Sequence, residues 1–247
     1  MEALAAFSTN QGITYPLLSD QRSRVIRELG ILDAHLGRHH AEFGRPVRDD
    51  QWGVAYPSVF LLDSDGIVAR KRVHRNYRIR DTGAGLFEDL LGVTASAHGA
   101  EALADGEVVQ IRAYLDSPTY RWYQRLRVVI EVAVQDGYHI YGTPIPDGYV
   151  PLSVTLDPVD GLELGEAAWP QPHRFLMEGL AEEFWVHEGN VPGSVPLMFT
   201  KDGTGDHRLR LAVRYQACSA HACLPPAHVR FELPVHEVAA VDASTKP

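Results

Sequence analysis

Leu126-Arg127-Val128-Val129-Ile130-Glu131-Val132-Ala133-Val134 decides the fold class. Leu126, Val128, Ile130, Val132 and Val134 fall at every second position, the period that gathers side chains on one face of a β-strand. The strand-like reading begins near residue 107, with Val108, Ile111 and Tyr114. It continues through expected strands at 139–141, 152–156, 194–200, 209–215 and 229–233. Asp136-Gly137, Asp147-Gly148 and Asp202-Gly203 supply turns between them. About seven short strands with almost no helical period predict a β-sandwich.

Upstream the pattern changes. Residues around Leu4 and Phe7 read as a helix stopped by Gly12, Ile13–Leu18 as a strand, and Ser19-Asp20 as the N-cap of a helix reaching Leu29 and closed by Gly30. Val59–Leu62 and Ile67–Ala69 flank the turn Asp63-Ser64-Asp65-Gly66, a hairpin signature, and a helix is expected over Thr82–Leu91. The resulting division is a mixed α/β domain over 1–93, an Ala-, Ser- and Gly-rich linker over 94–106, a sandwich over 107–238 and a disordered tail over 239–247. The fold class is α+β with two domains.

Composition agrees. A chain of 247 residues, 45% apolar and 22% charged, is long enough for two domains and a sizeable core. No apolar run approaches the roughly 20 residues of a bilayer span. Residues 1–80 carry twelve Lys and Arg against nine Asp and Glu, and residues 81–247 eleven against twenty-three. A change of sign along the chain suits two units with different surfaces. The net charge of −9 argues against nucleic acid, whose phosphates need Lys and Arg to neutralise them. The exception, Arg70, Lys71, Arg72, Arg75, Arg78 and Arg80, reads as a solvated edge, with a docking patch as the alternative.

The two cysteines, Cys218 and Cys223, lie in Tyr215-Gln216-Ala217-Cys218-Ser219-Ala220-His221-Ala222-Cys223-Leu224-Pro225-Pro226, between two expected strands. Two cysteines flanking a short turn can approach to disulfide distance. The ring is small, so loop-closure entropy makes it a weak staple. Residue spacing alone leaves a redox pair and a structural bridge both open. His221 reads as turn filler or, protonated, as a group favouring a thiolate. Zinc on Cys218, Cys223 and a pair from His207, His221, His228 and His236 matches no usual spacing. Arg38-His39-His40 with Asp49 and Asp50 reads as a solvated loop before it reads as a metal site. No metal and no cofactor is implied.

Around these residues the sequence resembles the N-terminal domain of DsbD, the thiol–disulfide interchange protein. Tyr-Gln-Ala-Cys…Cys-Leu-Pro-Pro carries the likeness, Asp136-Gly137-Tyr138-His139-Ile140-Tyr141 resembles the family's early Asp-Gly-Tyr-x-x-Tyr strand, and Glu182-Glu183-Phe184-Trp185 resembles its cap loop. The likeness covers about 107–236 and departs in having one residue fewer between the cysteines. It implies an immunoglobulin-like sandwich with a redox pair on a hairpin. By resemblance Cys223 forms mixed disulfides, Cys218 resolves them, Phe184 gates access and Glu182 or Glu183 handles protons. The plainer readings are core packing for Phe184 and Trp185 and a solvated acidic edge for the two glutamates.

Gly12–Asp20 and Tyr56-Pro57-Ser58-Val59-Phe60-Leu61-Leu62-Asp63-Ser64-Asp65-Gly66 resemble the AhpC/TSA redoxin family of thioredoxin-fold proteins. The likeness covers the later half of that fold and implies a cis-proline at Pro57. The redoxin nucleophile would precede Met1, which implies a shortened gene product or a half supplied by a partner chain. No cysteine occurs in residues 1–217, so the fold is carried over and the peroxidase chemistry is not.

The leading expectation is thiol–disulfide interchange through Cys218 and Cys223 with a thioredoxin-like redox partner protein. The alternatives are an immunoglobulin-like binding module with a structural disulfide, and a peroxiredoxin-type antioxidant activity in a longer chain. No nucleic acid or membrane insertion is expected, and a homo-oligomer through residues 1–92 is. The resemblance points to the periplasm or another extracytoplasmic space. Met1-Glu2-Ala3-Leu4-Ala5-Ala6-Phe7, without a basic n-region or long apolar core, reads as cytoplasmic.

Overall fold

The alternation over 126–134 becomes the spine of a sheet. The computed structural model describes residues 2–42, 44, 46–48, 51–93, 99–176 and 183–238. The chain divides into two units at Arg80/Asp81, inside the two-residue strand β3 (Arg80–Asp81). The first is mixed α/β and the second is a β-sandwich.

The first unit holds α1 (Glu2–Asn10), α2 (Arg24–Glu28), α3 (Leu36–Glu42), β1 (Ser58–Leu62) and β2 (Val68–Val73). β1 and β2 pair antiparallel. Asp63 Oδ1 closes their turn by accepting from Asp65 N at 3.0 Å and Ile67 N at 2.9 Å, and Gly66 takes φ +80°. Ile13–Leu18, expected as a strand, is irregular: among the described residues no strand pairs with it, Ile13 N donating to Ser8 O at 2.9 Å, and Leu18 is 89% exposed. An apolar run without a partner cannot satisfy a ladder. The expected helix to Leu29 shortens to a 3-10 turn and α2, broken by positive φ at Arg22 and Ser23. Asp20 still caps it, its carboxylate accepting from Val25 N and Ile26 N at 3.0 Å each.

The unit is organised around a buried carboxylate. Asp33 accepts from Tyr56 Oη and Tyr77 Oη at 2.8 Å each, from His35 N at 2.7 Å, and pairs with His39 Nδ1 at 2.9 Å. Burial by itself would raise its pKa, but the bonds from His39, Tyr56, His35 N and Tyr77 outweigh burial and hold it at about 2. His39 of the alternative metal site pairs with Asp33, and Asp49 and Asp50 lie outside the described residues.

Pro57 does not carry the cis bond expected of it. Among the described residues the cis peptide is Thr143–Pro144. Pro57 leads straight into β1, its carbonyl accepting from His74 N at 2.9 Å, an extended entry that a trans bond serves.

The second unit opens with α4 (Gly83–Leu91). Thr82 Oγ1 caps this helix by accepting from Gly85 N at 3.0 Å, and donates to Asp116 Oδ2 at 2.7 Å. Arg127 clasps the same helix through Glu88 at 2.8 Å and through Asp89. The helix assigned from sequence to the first domain thus packs on the sandwich. The expected linker 94–106 likewise ends in a strand, β4 (Glu101–Asp105), paired to β5 (Val109–Leu115). The expected tail 239–247 lies outside the described residues.

The remaining strands are β6 (Thr119–Tyr120), β7 (Gln124–Val134), β8 (Tyr138–Tyr141), β9 (Ser153–Leu156), β10 (Leu162–Leu164), β11 (His173–Leu176), β12 (Glu183–His187), β13 (Asn190–Phe199), β14 (His207–Tyr215), β15 (Ala217–Ser219) and β16 (Ala227–Glu237). One main sheet runs β10-β13-β7-β5-β4 and the other β6-β16-β14-β9. Leu126, Val128, Ile130 and Val132 of β7 meet Leu211, Val213, Leu233 and Val235 of β14 and β16 in one core. Tyr120 is buried there, stacked on Phe199 with centroids 4.0 Å apart. Among the described residues no helix is long and apolar enough to cross a membrane.

A third sheet, β11-β12-β8-β15, is built where strands of the main sheets run out. β8 follows β7 across a turn in which Gly137 takes φ +83°, β15 follows β14 after Gln216, and β12 leads into β13. This end of the sandwich holds the cysteines.

Candidate functional site

Gln216 moves the chain from one sheet to the next. Nearly buried, it accepts at Oε1 from Val150 N at 3.1 Å and donates from Nε2 to Leu224 O at 3.2 Å. That holds both legs of the cysteine hairpin. Ala217 and Cys218 then pair with Ile140 and His139 of β8. Leu224 N donates to Ala217 O at 2.9 Å and Ser219 N to Ala222 O at 2.8 Å, so the turn closes on itself. Ser219 Oγ accepts from His221 N and Ala222 N at 3.2 Å each.

Cys218 and Cys223 are joined by a disulfide, with Cα atoms 4.0 Å apart. Their surroundings differ sharply. Cys218 has 0% exposure, whereas Cys223 is exposed. Cys218 sits in a small apolar cluster with Tyr141, Phe184 and Val186, packed by Ile145, Tyr149 and Phe175. Tyr141 Oη lies 3.5 Å from Cys223 Sγ, and burial, with Tyr149 nearby, pushes its pKa up to about 12. The phenol is therefore a hydrogen-bonding group here and stays protonated at neutral pH.

Phe184 is fully buried at the inner side of the pair, its ring 5.0 Å from Tyr149 and 5.5 Å from Tyr141. Glu183 is exposed at the start of β12 and ion-paired to Arg174 across the β11–β12 ladder. Glu182 lies outside the described residues. His221 is exposed at the hairpin tip. Of the alternative zinc set, His236 pairs with Asp206 at 2.8 Å and His207 with Thr204 at 3.1 Å. Among the described residues no group of three or more His, Cys, Asp or Glu side chains is placed to hold a metal.

His139 is a site residue that sequence reasoning does not single out. It is 2% exposed, and its ring meets Phe175 at 4.5 Å and Tyr141 at 5.5 Å. Burial first, and then His173, holds its pKa below the usual histidine value, against the opposing pull of Glu188. A signal exists in 138–141: alternation along a strand puts His139 and Tyr141 on one face.

Comparison with known proteins bears on this geometry. Residues 117–234 match the family model for the N-terminal domain of the thiol:disulfide interchange protein DsbD. Residues 1–71 match the AhpC/TSA family. Among proteins of curated function none matches the chain. Solved structures similar to it include the N-terminal periplasmic domain of ScsB from Proteus mirabilis, 15% identical, covering 55% of this chain and 51% of that one with a TM-score of 0.41. The DsbD N-terminal domain of Neisseria meningitidis in its reduced form is 20% identical, over 42% of this chain and 74% of that one, with a TM-score of 0.31. The GAE domain of GGA2p from Saccharomyces cerevisiae is 12% identical, over 55% and 98%, with a TM-score of 0.33. The chain spans about half the length of the ScsB domain it matches.

Proposed function

From a chain that joins an AhpC/TSA segment to a DsbD N-terminal domain bearing a cysteine pair, we propose that the second unit exchanges disulfides with a partner protein through Cys218 and Cys223. The observation that supports this best is the unequal exposure of the two residues. A thiolate attacks one sulfur of a disulfide and expels the other. Here the incoming thiolate reaches Cys223, and Cys218 is the leaving group.

When a partner dithiol reduces the pair, its thiolate bonds to Cys223 Sγ. The Cys218–Cys223 bond breaks, and its electron pair stays on Cys218. The partner's second thiol then attacks its own sulfur of the mixed disulfide and releases Cys223. Two electrons and two protons have moved, the partner leaving oxidised and this chain holding two thiols. In the reverse direction Cys223 attacks a partner disulfide and Cys218 resolves it. A thioredoxin-like protein has the two-thiol chemistry required. Phe184, with the rings of Tyr141 and Tyr149, shields the inner side of the pair, so attack comes from the exposed side of Cys223. Glu183, at the start of β12, is tied to Arg174.

The test is the reduction potential of the couple, read by alkylation and mass spectrometry across glutathione buffers. A value above about −250 mV places the pair among exchangeable disulfides. The variant Cys218→Ser is then expected to hold a partner as a mixed disulfide on Cys223. A value below about −300 mV marks a structural bridge, and the binding-module reading takes its place.

A further inference from the structure

His139 stands directly opposite Cys218 in the β8–β15 ladder. Residues opposite one another in an antiparallel pair point to the same face, with Cβ atoms about 4.5–5.5 Å apart. Both are almost wholly buried, and His139 Nε2 has no hydrogen-bond partner among the described residues. A buried polar atom without a partner is costly and rare in folded proteins. Its position beside Cys218, which takes up negative charge when the disulfide opens, gives it a use.

We propose that His139 is the positioning donor for Cys218: its Nε2–H takes up, as a hydrogen bond, the charge left on the Cys218 sulfur when the disulfide opens. The inference rests on the exchange reading above. In the disulfide the sulfur is a weak acceptor, and the donor goes unpaired. When a partner thiolate bonds to Cys223 Sγ, the S–S electron pair remains on Cys218 Sγ. The freed Cys218 side chain turns about χ1 toward the ring, and the new thiolate becomes a strong, charge-assisted acceptor. No proton need transfer, and no further reactant enters.

The surroundings favour a neutral imidazole in this role. Facing it are the rings of Phe175 on β11 and Tyr141 on its own strand, with His173 on β11 and Glu188 beyond β12 as the ionisable groups that act on it. His173 and Glu188 pair with each other at 3.3 Å, so neither approaches as an isolated charge. A neutral ring keeps its donor in the apolar cluster without bringing a permanent cation beside the disulfide. The bond exists only in the reduced state, so it stabilises the dithiol relative to the disulfide.

The test compares the full chain with its His139→Phe and His139→Gln variants. Phenylalanine keeps the ring packing and loses the donor, and glutamine supplies an N–H at similar reach. The expected result is a roughly tenfold shift of the exchange equilibrium toward the disulfide for His139→Phe, equal to about 30 mV more negative, with His139→Gln restoring most of it. Equilibria within twofold of one another in all three chains overturn the proposal. An independent reading needs no variant: the nitrogen resonance of His139 Nε2 in the wild-type chain should move when the disulfide is reduced with excess dithiothreitol. A resonance unchanged between the two states overturns the proposal, even if neither variant folds. Failure of the exchange reading looks different. The wild-type pair would then not equilibrate with glutathione, while the resonance shift on forced reduction would still report the His139–Cys218 contact.

Discussion

Replacing Phe184 by alanine separates two roles for the ring beneath the disulfide. The side chain has no exposed surface and lies between Tyr149 and Tyr141, with Cys218 and Val186 in the same cluster. Truncating a buried phenylalanine costs about 3–5 kcal/mol, the transfer term and the cavity together. Loss of two ring–ring contacts, each worth about 0.5–1.5 kcal/mol beyond area, places the value toward the middle or upper part of that range. With a urea slope of about 2 kcal/mol per molar, a loss of about 4 kcal/mol lowers the unfolding midpoint by about 2 M. The assay is a urea titration of the oxidised chain followed by near-ultraviolet circular dichroism, so that the disulfide is constant. A drop smaller than about 0.5 M, near 1 kcal/mol, would refute the reasoning. Phe184 would then be a ring that leaves its seat at little cost, as a swinging gate does, and not a pillar of the cluster.

Three further outcomes follow from the geometry. With Cys218→Ser the remaining thiol is exposed, and with Cys223→Ser it is buried, so the first variant should react with a thiol reagent at least about tenfold faster, and rates within twofold would count against the asymmetry. In the first unit the Asp33 carboxylate is favoured by the fold, its pKa falling from 3.8 to about 2; the stabilisation, about 2 kcal/mol, is fully present above the unfolded pKa and lost as pH falls from about 4 toward 2. Acid titration of Asp33→Asn should lack that step, and an acid limb identical to wild type would rule the linkage out. Thr82→Ala removes both the cap of α4 and a partner of the buried Asp116, at a cost of about 1–3 kcal/mol in thermal unfolding, whereas Thr82→Ser should keep most of it; equal losses in the two variants would show that the hydroxyl is not what matters.

An element is legible in the sequence where a local pattern has a tertiary cause. The period of two at 126–134 exists because one face of β7 is buried against the opposing sheet, so the order of residues carries the imprint of that burial. The hairpin at 58–73 announces itself through Asp63 and Gly66, whose chemistry is local. The short strands β10, β11 and β12 pass unread, since runs of 3 to 5 residues are too few to show a period. Ile13–Leu18 has the composition of a strand and, among the described residues, no strand to pair with. Helix α4 is a helix as its residues predict, but it belongs to the second unit. Its partner Arg127 lies 38 and 39 residues from Asp89 and Glu88, beyond the reach of any local pattern.

The candidate site divides in the same way. Residue order is enough to place Cys218 and Cys223 on either side of one short turn, to show segments that resemble two known families, and to leave residues 1–217 without a cysteine. Which cysteine faces solvent, the seat of Phe184 beside Tyr141 and Tyr149, and the position of His139 opposite Cys218 come instead from folding. Burial and cross-strand partnership are properties of the register between β8 and β15, strands 76 or more residues apart in the chain, and that register is set by the packing of the whole end of the sandwich.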